Sequence, residues 1–418
     1  MIAAHPFAPL FDPETARPRL EPVARQIWGE SVEITRCEVL HVWRKTHARP
    51  TSAHKSVARV SFRLGLHDRR RDIHCDALAL GLLSFEDGQV RLELRRFPDD
   101  PALPQLAQLA DARGALAAAP QAVQRHCGST VEPRVTVVSF RPGERCTLRY
   151  DAERAAYAKT FRDDSGAKLA QRLATLGRWA LGSEPAIAWP RLLGYDAATR
   201  TVWQEAVPDL RPFLDYPARR SIARSPWRLL GAALATLHRG SLPQLSTLTR
   251  EQRLFEVGKK VAKLEGAGLP AAVDARALHD HCLRAQPRLA AVPDVLLHGD
   301  LHIGQLGRTA DRVAIFDMDE LLLGPAEQDL ASLLVSLESN GIGKAPASRA
   351  LATVIDGYVA SGGRLPDSQV LDWHYRLQHV DRAYRDWWRH DVQALGRMAR
   401  ALRRGQRGLP ADTVRGAT

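Results

Sequence analysis

The hydrophobic pattern of this 418-residue chain changes period near residue 208. Up to that point apolar residues alternate in short runs bounded by turn residues, as strands do; beyond it they recur at spacings of three and four, as on amphipathic helices. At ~150 residues per domain the length calls for two or three folded units. The pattern places divisions at 1–130, 131–207 and 208–418, with no repeat period.

Within the first segment, VEITRCEVLHVWRK, SVARVSFRLGL, LGLLSF and VRLELRRF read as strands, the last two joined across Glu86-Asp87-Gly88, and an alanine-rich helix is predicted over 112–126. His74 and Cys75, a lone adjacent pair, read as ordinary packing. The second segment reads TVVSF, a turn at Arg141-Pro142-Gly143-Glu144, CTLRY and AAYAKTF, then a helix from Ser165 to Leu181 and the strands RLLGYD and TVWQEAV. In the third, helical periodicity is clearest in WRLLGAALATLH and over 250–265, 271–290 and 367–404; a polar-decorated hairpin from about Leu296 to Asp317 interrupts it.

Composition narrows the class. With 45% hydrophobic and 25% charged residues the chain has material for sizeable cores, which excludes disordered, collagen-like and coiled-coil proteins. The net charge of +12 is written in arginine, with lysine only at Lys45, Lys55, Lys159, Lys168, Lys259, Lys260, Lys263 and Lys344. That balance permits a nucleic-acid or anionic-membrane partner, yet no block of five or six like charges appears, so an arginine-rich surface is the expectation and no nucleic acid is expected. The five cysteines are widely spaced without a C-x-x-C pair, which indicates neither a disulfide framework nor a zinc site. No leader-like terminus or apolar run of about 18 residues is present, so a cytoplasmic protein without membrane contact is expected.

The chemistry is concentrated in LLHGDLHIGQLGRTADRVAIFDMDELLLGPAEQDLASLL. His298, Asp300, His302, Gln305, Asp317, Asp319 and Glu320 flank a predicted hairpin, whose closure should bring Gln305 and Asp317 towards Asp300. Hard oxygen ligands suit magnesium, and a separate aspartate can deprotonate an attacking hydroxyl. The alternation His298-x-Asp300-x-His302 also admits a metal-dependent hydrolase, although no further histidine cluster supplies ligands and Gln305 is a poor zinc ligand. His298 reads as a loop brace, and His302 as a substrate contact or a half-exposed side chain.

His298-Gly299-Asp300, then Gln305 and Phe316-Asp317-Met318-Asp319, resembles the catalytic loop and metal segment of the kinase-like small-molecule phosphotransferases, the aminoglycoside phosphotransferase and choline kinase superfamily. HGDLHIGQ is most similar to the loop of the maltokinases, which also carries glutamine. Leu234-Ala235-Thr236-Leu237-His238 and the segment Gly324 to Ala331 resemble the neighbouring family segments. The resemblance covers about residues 135–390 and implies an α+β, bilobal protein-kinase-like fold, strand-rich then helical, with an extra N-terminal α+β subdomain. It implies ATP and Mg2+, transfer of the γ-phosphoryl group to a small hydroxylated acceptor, and these roles: Asp300 as base; Gln305, Asp317 and Asp319 on the metal; Asp329 anchoring the loop; and Lys159 on the α- and β-phosphates. The turn with Arg141 and Gly143 would cover the nucleotide, and Gln204, Glu205 and Val207 would meet the adenine edge.

Two departures stand beside it. The helix Ser165–Leu181 holds no acidic residue to pair with Lys159, and Gln305 replaces the usual asparagine. They motivate an alternative, a pseudokinase that binds nucleotide or partner as a regulatory module. The carboxy-terminal helix mixes aromatic and charged residues at helical spacing, which reads first as core; the resemblance, in which the helices after the metal segment line the acceptor pocket, implies Asp381, Asp386 and Trp387 as the candidates for touching the acceptor.

Overall fold

The computed structural model describes residues 7–45, 56–86, 89–180, 187–214, 224–388, 394–409 and 413. It is a mixed helix and sheet protein with a sheet-rich amino-terminal region and a helical carboxy-terminal region. The described residues form two compact units, one from 1–170, 192–206 and 386–394, the other from 171–191, 207–385 and 395–418.

The first unit opens with helix α1 (Pro13–Trp28), begun by Asp12, whose side chain accepts from the Glu14 amide at 3.1 Å, and by a proline at its first position. Pro18 and Pro22 lie inside it, and these breakers hide the helix from a reading of periodicity. Strands β1 (Val32–Lys45), β2 (Ser56–Asp68), β3 (Ile73–Glu86) and β4 (Gln89–Arg96) follow as an antiparallel meander. Alternating Val60, Phe62 and Leu64 point to the face that Ala16, Leu20 and Ala24 of α1 cover. Asp87 and Gly88, expected in the hairpin turn, lie outside the described residues.

The expected helix over 112–126 is two short ones, α3 (Ala112–Ala118) and α4 (Gln121–Cys127), preceded by α2 (Leu106–Ala110). Pro120 forces the residue before it out of the helical region, and Ala119 is extended at ψ 160°. Strands β5 (Arg134–Arg141), β6 (Arg145–Asp151) and β7 (Ala156–Phe161) precede helix α5 (Ser165–Ala180), with the predicted end Leu181 outside the described residues. After β8 (Ile187–Ala188) come β9 (Leu192–Asp196) and β10 (Thr201–Glu205), giving an antiparallel sheet of order β5-β6-β7-β10-β9. Leu103, Leu106, Leu109, Leu116 and Val123 share one apolar cluster with Leu148, Tyr150, Ala158 and Trp203, so α2–α4 form the lining of this sheet.

The second unit, which takes in most of α5 and β8, continues with β11 (Arg211–Pro212) and helices α6 (Arg224–His238), α7 (Arg250–Gly266) and α8 (Ala271–Ala285). Strands β12 (Asp294–Leu297), β13 (Leu306–Arg308), β14 (Val313–Ile315) and β15 (Leu322–Pro325) then interrupt the helices; β12 pairs with β15 and β13 with β14. Helices α9 (Ala326–Ser339), α10 (Lys344–Ala360), α11 (Ser368–Trp388) and α12 (Ala394–Arg407) complete it. The predicted helix over 367–404 is thus two, with 389–393 outside the described residues. Where α6 crosses α10, Gly357 faces bare backbone: a Cβ there would lie 2.2 Å from the Arg228 carbonyl oxygen. Among the described residues no helix is long and apolar enough to cross a membrane.

Candidate active site

Two strand pairs of the second unit fold the polar stretch onto itself. The β12–β15 ladder, Leu297 opposite Leu322, holds the loop after β12 against the turn before β15; the β13–β14 hairpin, Leu306 opposite Ile315, carries Gln305 and Phe316 at its open end. There the Phe316 amide donates to the Gln305 carbonyl at 2.9 Å, which sets Gln305 beside the start of the Asp317 turn. His298 Nε2 and the Phe316 carbonyl lie 2.8 Å apart, tying the Asp300 loop to the same place. Gly299 has φ +88°, and a Cβ there would fall 2.2 Å from the Glu320 carbonyl oxygen, so only glycine lets the two loops approach this closely.

Asp329, fully buried in the first turn of α9, holds the loop from beneath. It accepts from the His298 amide at 2.7 Å and the Gly299 amide at 3.1 Å, and His238 Nε2 approaches it at 3.3 Å. Burial alone would raise its pKa, but His238, His298 and the amide bonds outweigh burial and hold the carboxyl below its ordinary value. His238 sits at the end of α6 and uses its other ring nitrogen on the Tyr358 hydroxyl at 3.0 Å, so α6, α9 and α10 together fix one carboxylate.

Asp300 itself is half exposed, and Arg385 Nη1 of α11 lies 3.3 Å from its Oδ1. His302 is largely buried; burial, the largest influence, pushes its pKa below the usual imidazole range, Asp300 opposes that and Arg385 adds to it. Asp317 adopts a left-handed conformation, φ 61° and ψ 55°, an uncommon state for a residue with a Cβ and one that turns the chain sharply into the Met318–Glu320 turn. The Asp319 carbonyl accepts from Arg172 Nη1 of α5 at 2.8 Å.

A divalent ion fits the donor set. Gln305 is 6% exposed, and its Oε1 is buried without a hydrogen-bond partner, a costly state for an amide oxygen that a cation would relieve. Asp317 and Asp319 lie in the adjoining turn, and their carboxylates would extend such a set. Oxygen donors of this kind suit magnesium rather than a thiophilic ion.

The sequence profile of the phosphotransferase enzyme family matches residues 167–374, a span that contains the Asp300 loop, the β13–β14 hairpin, the Asp317 turn and Asp329 but not Arg385. Over that span the chain is similar to the phosphotransferase enzyme family. A choline/ethanolamine kinase family protein from Mesorhizobium loti has the same fold at a TM-score of 0.53, with 16% identity over 74% of this chain and 99% of that one. A choline kinase from Streptococcus pneumoniae (TM-score 0.49, 13% identity, 68% of this chain and 96% of that one) and an amicoumacin kinase in complex with AMP-PNP and Ca2+ (0.48, 13%, 65% and 88%) are also similar. No curated protein matches the chain in sequence.

Elsewhere in the chain the other candidate residues fall as follows. Lys159 is 8% exposed on β7, which lies inside the sheet between β6 and β10. Its ammonium lies 5.7 Å from the Phe161 ring centroid. Gln204 and Glu205 end β10, half buried, as is Val207 beyond it, and Arg141 is exposed at the end of β5. The Gly143 amide donates to Asp100 Oδ2 at 2.7 Å, a carboxylate only 4% exposed, so this N–H of the expected nucleotide-covering turn is already engaged.

Asp381 corrects an expectation. It is 7% exposed, and its carboxylate is taken up by Lys260 at 2.6 Å and Arg253 at 2.7 Å of α7, the geometry of a structural ion triad rather than of a group facing an acceptor. Asp386 is likewise buried, and Trp387 stands edge-on to Trp388 with centroids 6.2 Å apart. The charged side chain that does reach Asp300 is Arg385, one helical turn from Asp381. Periodicity marks it as part of a helix, but not its pairing with a residue 85 positions away.

Proposed function

We propose that the chain transfers the γ-phosphoryl group of ATP to a hydroxyl of a small molecule, a sugar, aminoglycoside or amino alcohol. The observation that carries this reading is the Asp300 loop, with both preceding amides fixed by Asp329 and an unsatisfied Gln305 oxygen beside Asp317. Asp300 would accept the proton of the acceptor hydroxyl as its oxygen attacks the γ-phosphorus, while the bond from phosphorus to the bridging oxygen breaks and ADP carries the charge away. Gln305, Asp317 and Asp319 would hold Mg2+, which offsets charge on the phosphates. Lys159 would neutralise the α- and β-phosphates, Gln204, Glu205 and Val207 would meet the base, and His302 would border the acceptor.

Arg385 would hold the Asp300 carboxylate in place between turnovers. Asp100 leaves Gly143 out of phosphate contact, so Arg141 would carry that turn's part. Residues 1–130 would act as a cap on the nucleotide-binding lobe, 131–207, with 208–418 as the helical lobe. The test is a panel of sugars, aminoglycosides and amino alcohols incubated with ATP and magnesium and read by mass spectrometry as gain of one phosphoryl group. Asp300→Asn should abolish transfer while calorimetry shows nucleotide binding intact; unchanged transfer would overturn the assignment. Nucleotide binding with no acceptor phosphorylated would favour the regulatory pseudokinase.

A further inference from the structure

We propose that His67, Asp72 and His74 form a binding site for a zinc-class divalent metal on the amino-terminal sheet, apart from the phosphotransfer site and independent of that reading. The register of the meander brings the residues together: Glu33 of β1 lies opposite His67 of β2, and His67 opposite His74 of β3. Directly opposed residues of antiparallel strands share one face, so the three side chains stand in a row. Asp72 closes the row from the β2–β3 turn, in a left-handed conformation with φ 51°. The expectation that His74 and Cys75 are ordinary packing does not hold, since both are exposed.

One ligand atom from each of His67, Asp72 and His74 lies within 4.8 Å of the others. His67 Nε2 and Asp72 Oδ1 are 3.0 Å apart; ligand atoms around a tetrahedral zinc ion are ~3.3 Å apart, given bonds of ~2.0 Å. The other ring nitrogen, Nδ1, lies 3.1 Å from Glu33 Oε1. A carboxylate on the far side of a histidine is the usual outer partner of a metal-bound imidazole, fixing the tautomer that leaves Nε2 to bind. Two imidazoles and a carboxylate are a zinc-type donor set, with a fourth position for water.

Two features bound the geometry. The His67 and His74 rings are stacked at 4.1 Å and 2°. A metal lies in the plane of each ring that binds it, so one ring must turn; His67 is held by Glu33, and exposed His74 is the one that swings. Cys75 is the next residue along β3, and strand alternation sends its side chain to the opposite face, which keeps a thiolate out of the set. The neighbouring arginines are directed to carboxylates outside the triad, Arg69 to Glu33 and Arg71 to Asp68.

The experiment is calorimetric titration of the full chain with zinc in excess magnesium, which competes for oxygen-donor sites. One equivalent should bind. His74→Ala and Asp72→Asn, both exposed and harmless to the core, should each weaken it at least tenfold; Glu33→Gln should weaken it about tenfold through the lost outer carboxylate. Cys75→Ser and Asp300→Asn should leave the isotherm unchanged. Absence of saturable uptake by the wild type, or an isotherm that either His74→Ala or Asp72→Asn leaves unchanged, overturns the site.

Discussion

Asp329→Asn tests how the Asp300 loop is held. The carboxylate accepts from the amides of His298 and Gly299 at 2.7 and 3.1 Å and faces His238 at 3.3 Å, all away from solvent. Asparagine keeps one oxygen and replaces the other with a donor, so one backbone N–H must face an NH2 group. The loss combines a charge-assisted hydrogen bond, ~1.5–3 kcal/mol, with a stranded buried donor, ~1–3 kcal/mol. Together about 3–5 kcal/mol is expected, the range for breaking a buried charged pair. Two compact units need not unfold together, so the effect is best read locally, as hydrogen exchange at the His298 and Gly299 amides. Those amides should lose more than a hundredfold protection, and turnover should fall with the loop displaced. Protection unchanged within a factor of about three would show that the carboxylate does not anchor the loop.

Three further outcomes follow from the helical unit. Asp381 has its pKa lowered to about 2 by Arg253 and Lys260, which outweigh the opposing effect of burial; against ~3.9 unfolded, its stabilisation of about 2 kcal/mol is present above pH ~4 and lost as pH falls towards 2. Acid unfolding should show the gap between wild type and Asp381→Asn closing over that interval, and a gap independent of pH would refute the linkage. Gly357→Ala, with its Cβ 2.2 Å from the Arg228 carbonyl oxygen, should push α6 from α10 and lower the melting temperature by several degrees; an unchanged melting curve would contradict the close crossing. Gln305→Ala should raise the magnesium concentration needed for half-maximal transfer at least tenfold, and an unaltered requirement would remove Gln305 from the metal.

Much of this was legible in the sequence where the signal is local. The strands β1, β2, β5–β7 and β10 follow from alternation, and the convergence of Gln305 and Asp317 from a hairpin whose turn is written as Thr309-Ala310-Asp311. What periodicity could not give is pairing across the chain. Asp381 reads as an acceptor-side carboxylate because its partners Arg253 and Lys260 are more than a hundred positions away, on a helix whose angular setting only packing decides. Arg385 is hidden for the same reason. Helix α1 fails on different grounds: Pro18 and Pro22 argue against a helix locally, and burial of Leu20 and Ala24 against the sheet overrides them.

The bond from the Gly143 amide to Asp100 limits how the chain can be shortened. Cutting it back to residue 131 would remove that carboxylate and also α2–α4, whose leucines cover Leu148, Tyr150 and Trp203. The fragment would carry every residue of the catalytic loop and still present a bare apolar sheet face to water, a surface prone to self-association. Expression trials and any domain graft should therefore carry the chain at least from Asp100 onward, and a soluble preparation beginning at residue 131 would itself be informative about what else can cover that face.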